Sequence, residues 1–279
     1  MNISPYDAAT QAATFLQSVS SAPSFAVVLG SGLGEFGRRL ESSRQIPYEQ
    51  IPYFQKSSVK GHAGQLVIGT IPGTTTKVAA LCGRSHLYEG LPATEIVHPT
   101  RSMGLWGIKN ILYTNAAGGI HPKLQPGDLM LLTDHMNFTG QNPLVGPIDK
   151  RLGSRFIDMT QAYDLHFQEI ITQTAKQINI RLQKGIYLSL LGPSYETPAE
   201  IKGFTEMGAS AIGMSTVLEV IAARQMNLKV AGISCITNFG AGISHENLSH
   251  DEVKETAQRV QEDFIKLLQT SIPALISSR

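Results

Sequence analysis

Cysteine is nearly absent from the 279-residue chain: only Cys82 and Cys235 occur. Two cysteines give neither a disulfide framework nor zinc spacing. Each sits inside an apolar strand-like run, Val78–Cys82 and Val230–Ile236, so both read as reduced core thiols. Charge is also sparse. Charged residues make up 16% of the chain, the formal net charge is +1, and no run of five or six like charges occurs. A nucleic-acid surface or an anionic-membrane surface is therefore not expected, and the expected partner is small. No apolar stretch approaches the roughly 20 residues that span a bilayer, and Met1–Ser20 lacks the basic start and continuous apolar centre of a signal peptide. A cytoplasmic location is expected. Metal ligation has little support, because His245 and His250 miss the i, i+4 spacing and no cysteine or second carboxylate joins them.

What the chain does have is alternation. Hydrophobic residues are 42% of the total, and strand-length apolar runs alternate with amphipathic helical patterns, with no repeat, low-complexity tract or linker. The expectation is an α/β fold: one three-layer domain over 1–279, with a central mixed β-sheet flanked by helices. Phe25–Leu29 reads as a buried strand, and Leu66–Ile71 and Lys77–Cys82 as a hairpin about Pro72-Gly73. A helix is expected near Ala93–Leu105, then strands at Asn110–Thr114 and Asp128–Thr133, then an irregular stretch His135–Arg155. Beyond it the expected elements are helix Gln161–Ile178, strand Gly185–Leu191, helix Pro198–Met207, strand Ser210–Gly213, helix Thr216–Met226, strand Lys229–Thr237 and helix His250–Thr270. The candidate functional residues fall at carboxyl ends of these strands or just after them, where open α/β sheets bind ligands.

Gly30-Ser31-Gly32-Leu33-Gly34 follows the first strand and can present N–H groups and the Ser31 hydroxyl to an anion, though such a turn is often structural. It matches neither a Walker loop nor G-x-G-x-x-G, so a dinucleotide-dependent oxidoreductase is a weak alternative. Gly83-Arg84-Ser85-His86-Leu87-Tyr88-Glu89-Gly90 offers a guanidinium fork for phosphate oxygens, an imidazole and a phenol. If extended, that segment puts Arg84, His86 and Tyr88 on one face; a solvated loop is the plainer reading. His62, between Gly61 and Gly64, reads by itself as a turn residue. Ser215, in Gly213-Met214-Ser215-Thr216, reads as a helix N-cap or as an anion-binding hydroxyl at that helix terminus. Ser249, with Asp251 and Glu252, reads as capping of the last helix, leaving His250 incidental. Gly192-Pro193-Ser194-Tyr195-Glu196-Thr197 places a carboxylate in a tight apolar turn, and Asn238 ends a strand-like run. A carboxylate accepts from a ring N–H, and a carboxamide both donates and accepts, so Glu196 and Asn238 together can clamp the edge of a purine.

In order and spacing these motifs, with Thr114-Asn115-Ala116-Ala117-Gly118-Gly119 between them, closely resemble the trimeric purine nucleoside phosphorylases, from about Val27 to the last helix. The resemblance implies the nucleoside phosphorylase fold, a homotrimer, and reversible phosphorolysis of purine (deoxy)ribonucleosides, with inorganic phosphate as co-substrate and no cofactor or metal. Carried over position by position, it implies that Ser31, Arg84, His86, the Ala116 backbone and Ser215 hold phosphate, with His62 closing over it. Tyr88, Met214 and His250 would contact ribose, and Phe156 would reach a neighbouring subunit's ribose pocket. Tyr195, Glu196, Ile212 and Asn238 would line the base pocket, with His86, Glu196 and Asn238 carrying the catalysis.

Two positions bear on selectivity. The similar methylthioadenosine phosphorylases carry Asp where Asn238 stands and an apolar residue in place of His250, so inosine and guanosine are the expected substrates and adenosine a poor one. Tyr195 replaces the Phe of mammalian members, and Phe239-Gly240-Ala241-Gly242 departs from their sequence, which leaves xanthosine as an alternative substrate. A purine-binding module without turnover is the remaining alternative.

Overall fold

The run Phe25–Leu29 forms strand β1, and its alternating side chains feed two separate cores. Ala26 and Val28 join one cluster, while Phe25, Val27 and Leu29 join the other, as the two-residue period of a strand requires. Such a strand has a layer on each face. The computed structural model describes residues 3–56, 63–147, 149–244 and 250–277, the first five of the last stretch through their backbone alone.

Among the described residues the other strands are β2 (Glu41–Pro47), β3 (Gln65–Thr70), β4 (Lys77–Cys82), β5 (Asn110–Gly119), β6 (Leu129–Phe138), β7 (Leu182–Leu190), β8 (Ala211–Gly213) and β9 (Lys229–Phe239). They form one mixed sheet. β1 runs parallel to β4 and β5, β5 runs parallel to β9, and the antiparallel β3–β4 hairpin forms about Pro72-Gly73. The β5–β8, β8–β7, β7–β6, β6–β9 and β9–β5 pairings also close a ring of five strands, which removes the free edges of that half.

Helices α1 (Pro5–Val19), α4 (His98–Trp106) and α7 (Val217–Gln225) supply residues such as Leu16, Trp106 and Val220 to one core. Helices α2 (Glu35–Arg38), α5 (Leu165–Gln177) and α9 (Gln261–Ser277) supply Phe36, Phe167 and Phe264 to the other. The shorter α3 (Ala93–Ile96), α6 (Pro198–Glu206) and α8 (His250–Arg259) complete the α-helices among the described residues. No helix among the described residues is long and apolar enough to cross a membrane.

Several boundaries differ from the sequence expectation for local reasons. The helix expected near Ala93–Leu105 breaks at Val97, because Pro99 lacks an N–H to continue a helical ladder and fits only in the first turn of α4. Strand β5 runs on to Gly119 and β9 to Phe239, because each pairs with the other along its full length. Strand β6 likewise runs to Phe138 along β7, which shortens the expected irregular stretch from His135. Helix α5 starts at Leu165 because the Asp164 carboxylate accepts from Phe167 N–H and caps it there. The closing helix is two helices, separated at Val260. Helix α1 and strand β2 are additional to the elements expected from the sequence.

Candidate active site

Because β4, β1, β5 and β9 run parallel, their carboxyl ends face one way, and a cavity of about 400 Å³ opens there. Ser31, Arg84, His86, Tyr88, Ala116, Tyr195, Glu196, Ile212, Met214, Ser215 and Asn238 all line it. Phe156 does not; it is 90% exposed elsewhere on the chain. His62 lies outside the described residues, as does the side chain of His250.

One end carries groups that can hold an anion. Arg84 is 5% exposed at its side chain, and its Nη1 donates to Thr114 O (2.9 Å), Ser215 Oγ (3.2 Å) and Thr216 Oγ1 (3.1 Å). Its Nε lies 3.3 Å from Glu219 Oε2. Glu219 was not picked out in the sequence; the pattern Thr216-x-x-Glu219 signals a helix start, but not that the acid is buried against an arginine. Burial pushes the Glu219 carboxyl up, and the Arg84 guanidinium opposes that shift. Arg84 is thereby held from behind by a fixed counter-charge, so its fork is oriented before a ligand arrives.

His86 donates from its backbone N–H to Glu89 Oε1 at 2.7 Å, and its Nδ1 lies 3.1 Å from the same oxygen. Its ring stacks on Tyr88 at 4.8 Å between centroids and 13° between planes. Tyr88 does not follow an extended alternation, as the i, i+2 reading supposed. It sits in a 3₁₀ turn at Leu87–Glu89, and that turn brings Arg84, His86 and Tyr88 to the same cavity. Burial, then the Glu89 charge, pushes the Tyr88 phenol up to about 12, so it stays a hydroxyl near neutrality.

The other end carries a carboxylate and a carboxamide, which can read polar edges. Glu196 is 8% exposed and Asn238 6%. Burial raises the Glu196 carboxyl, its own backbone N–H opposes that, and Glu200 adds to it. The position of Glu196 is set by the start of α6, where Thr197 and Glu200 exchange bonds: Thr197 N–H to Glu200 Oε2 (2.7 Å) and Glu200 N–H to Thr197 Oγ1 (3.2 Å). Gly192 adopts φ +66, and a Cβ there would collide with Met214 Sδ, so glycine is required where this loop crosses the cavity wall.

Asn238 lies within β9 rather than after it. Its Nδ2 donates to Phe239 O (2.9 Å), which identifies the amide nitrogen, and its Oδ1 accepts from Thr237 Oγ1 (2.8 Å). One amide hydrogen and one lone pair are left for a ligand. A register shift between Ala117 and Gly118 sets Thr237 outside the β5–β9 pairing, and consecutive Thr237 and Asn238 both line the cavity. A bulge re-aims side chains in this way beside binding sites; strict alternation would not.

The turn joining the two ends is tight. Thr216, not Ser215, is the N-cap of α7, with φ 73 and ψ −51, and its N–H donates to Glu219 Oε2 at 3.1 Å. The main chain of Ser215 is held from β7, where Ser189 Oγ donates to its carbonyl (3.0 Å) and Tyr187 Oη accepts from its N–H (3.4 Å).

The mixed α/β sheet brings Arg84 and Ser215, the stacked His86/Tyr88 pair, and Glu196 with Asn238 to one cavity at its strand ends, an arrangement whose donors and acceptors can take an oxyanion beside a flat heterocycle. The family model described as the phosphorylase superfamily matches residues 24–273. The chain is 45% identical over 267 residues to purine nucleoside phosphorylase 1 of Bacillus subtilis, which covers 95% of this chain and 98% of that one. It is 42% identical over 262 residues to the purine nucleoside phosphorylase of Bos taurus, with 90% of each covered. The solved structure of the Schistosoma mansoni purine nucleoside phosphorylase in complex with inosine superposes with a TM-score of 0.89 at 33% identity, covering 95% of each chain. The same enzyme in complex with adenosine also gives 0.89, at 34% identity, covering 95% of this chain and 96% of that one. The chain belongs to the purine nucleoside phosphorylases of the phosphorylase superfamily.

Proposed function

We propose that the protein catalyses the reversible phosphorolysis of 6-oxopurine (deoxy)ribonucleosides, inosine and guanosine, to free base and (deoxy)ribose 1-phosphate, as in purine salvage. The observation that carries this reading is the union in one cavity of the Arg84–Ser215 cradle and the Glu196/Asn238 pair. A volume of about 400 Å³ is within the range of small-ligand sites.

Phosphate is held by Ser31, Arg84, His86, the Ala116 main chain and Ser215, with His62 closing over it. Ribose lies against Tyr88, Met214 and His250. The base lies among Tyr195, Ile212, Glu196 and Asn238. As the glycosidic bond stretches, the ribose becomes cationic and the purine collects negative charge. As the purine collects charge its N7 takes a proton from water; Asn238 then accepts from that N7–H and donates to the 6-oxygen, using the hydrogen and lone pair that Phe239 and Thr237 leave to it. Glu196 accepts from N1–H. Phosphate stabilises the sugar cation and then forms the new bond at the anomeric carbon, so the nucleophile arrives already anionic. The reaction so read uses phosphate as co-substrate and needs no cofactor or metal.

Phe156, exposed and apolar, suits a role in a neighbouring subunit's ribose pocket, and the assembly proposed is a homotrimer. The buried free thiols of Cys82 and Cys235 fit a cytoplasmic enzyme.

Hypoxanthine release from inosine, measured with and without phosphate, tests the reading. Release that requires phosphate is expected; no release, or release indifferent to phosphate, overturns it.

A pH dependence follows from Glu196. Its carboxyl must be ionised to accept from N1–H, and burial raises its pKa above the usual carboxylate value. The kcat/KM for inosine at saturating phosphate should therefore fall as pH drops through that raised value. Glu196→Gln should lower kcat/KM by roughly tenfold to a hundredfold, as for one lost charged hydrogen bond, and remove that acidic limb. An unchanged limb in the variant refutes the assignment.

A further inference from the structure

We infer that Thr216, which is not among the residues lining the cavity, is a positioning residue that fixes the Ser215 hydroxyl as a hydrogen-bond donor to the bound oxyanion. The inference rests on the phosphorolysis reading of the same site. Thr216 is 2% exposed, and its Oγ1 meets two obligate donors, Asn115 Nδ2 at 2.9 Å and Arg84 Nη1 at 3.1 Å. A hydroxyl has two acceptor lone pairs and one proton. With both lone pairs engaged, the Thr216 proton goes to its remaining neighbour, Ser215 Oγ, 3.1 Å away.

Ser215 Oγ also accepts from Arg84 Nη1 at 3.2 Å. Its two lone pairs are then occupied in turn, and its own proton points to the cavity that Ser215 lines. An oxyanion offers acceptors only, so this polarity is the useful one. Arg84 Nη1 carries two hydrogens and faces three oxygens, so one of its bonds is shared, and Thr216 helps decide where the guanidinium rests.

The backbone supports the same role. Val217 N–H donates to Ser215 O at 2.8 Å across Thr216, a γ-turn with φ 73 and ψ −51 at its centre. A β-branched residue at positive φ is an outlier, and such strain persists at functional sites where surrounding bonds over-determine it. The turn directs the Thr216 hydroxyl at Ser215 and Arg84 while its N–H is bound by Glu219.

Three variants separate the hydroxyl from the methyl group. Thr216→Ala and Thr216→Val remove the oxygen; Thr216→Ser keeps it. The KM for phosphate is expected to rise roughly tenfold to a hundredfold in Ala and Val, as for loss of one bond serving a charged ligand. In Ser the phosphate KM should stay within about threefold, as should the inosine KM in all three variants, the scatter of substitutions that spare such contacts. The rise in Tm produced by inorganic phosphate should shrink in Ala and Val and persist in Ser, a readout that needs no turnover. Equal phosphate KM in all three variants, or phosphate and inosine KM rising together, overturns the inference. Parent enzyme that releases no hypoxanthine in phosphate would instead fail the underlying reading, while the phosphate-induced Tm shift still reports on Thr216.

Discussion

Asn238→Asp is expected to lower kcat/KM for inosine by on the order of a hundredfold to a thousandfold while raising or sparing that for adenosine. The reason is an exchange of one group. Asn238 uses one amide hydrogen on Phe239 O and has the other left, which in the proposed reading goes to the purine 6-oxygen. An ionised Asp has no hydrogen to give, so both the 6-oxygen and the Phe239 carbonyl would face an acceptor. The 6-amino group of adenosine reverses this, because it donates. Burial at 6% exposure keeps water from repairing the mismatch. Steady-state kinetics with both nucleosides at fixed phosphate measure the ratio. An inosine-to-adenosine ratio equal to that of the parent refutes the role given to Asn238.

Arg84→Met is expected to cost more. Losing the guanidinium from the cradle should reduce kcat/KM for phosphate by on the order of a thousandfold, as for other removed charge stabilisers. It also strands Glu219, whose side chain is 6% exposed and whose charge partner is Arg84. Removing one partner of a buried pair costs about 3–5 kcal/mol.

The pH dependence has a defined sign. Burial raises Glu219 in the folded state, and without Arg84 the largest opposing influence is gone, leaving only His86 and the Thr216 N–H against it. A carboxyl raised on folding binds its proton more tightly folded than unfolded, so stability returns as pH falls through the folded value and is fully regained below the unfolded one. Denaturation of Arg84→Met should therefore show a stability deficit that narrows in acid. The double variant Arg84→Met/Glu219→Gln, which buries no lone charge, should recover most of the stability at neutral pH and none of the phosphorolysis. If the double variant is as unstable as the single one, the ion pair is not what Arg84 contributes to folding.

Much of the lining of this cavity is legible in the sequence. Arg84, His86, Ser215, Glu196 and Asn238 stand out because each has a polar group at a strand end, and donor and acceptor capacity follows from residue type alone. The buried strands were legible for a similar reason. Runs such as Phe25–Leu29 and Lys77–Cys82 have no use outside a sheet covered on both faces. Boundaries failed where long-range pairing overrode local composition, as in β5 and β9, which hold each other in register to Gly119 and Phe239. The glycine- and alanine-rich end of β5 looks like a loop until a partner strand lies beside it.

By itself the sequence determined which chemical groups this protein owns, their order along the chain and the layered α/β plan, because those depend on residue type and on two short periods. Only the tertiary structure decided how the groups are aimed. The bulge that sets Asn238 and Thr237 on one cavity depends on β5, more than a hundred residues earlier. The burial of Glu219 against Arg84 and the convergence of Asn115 and Arg84 on Thr216 likewise join residues over a hundred positions apart. Hydrogen-bond polarity and charge pairing at such points are set by which atoms meet in space, and no local pattern in the chain carries that information.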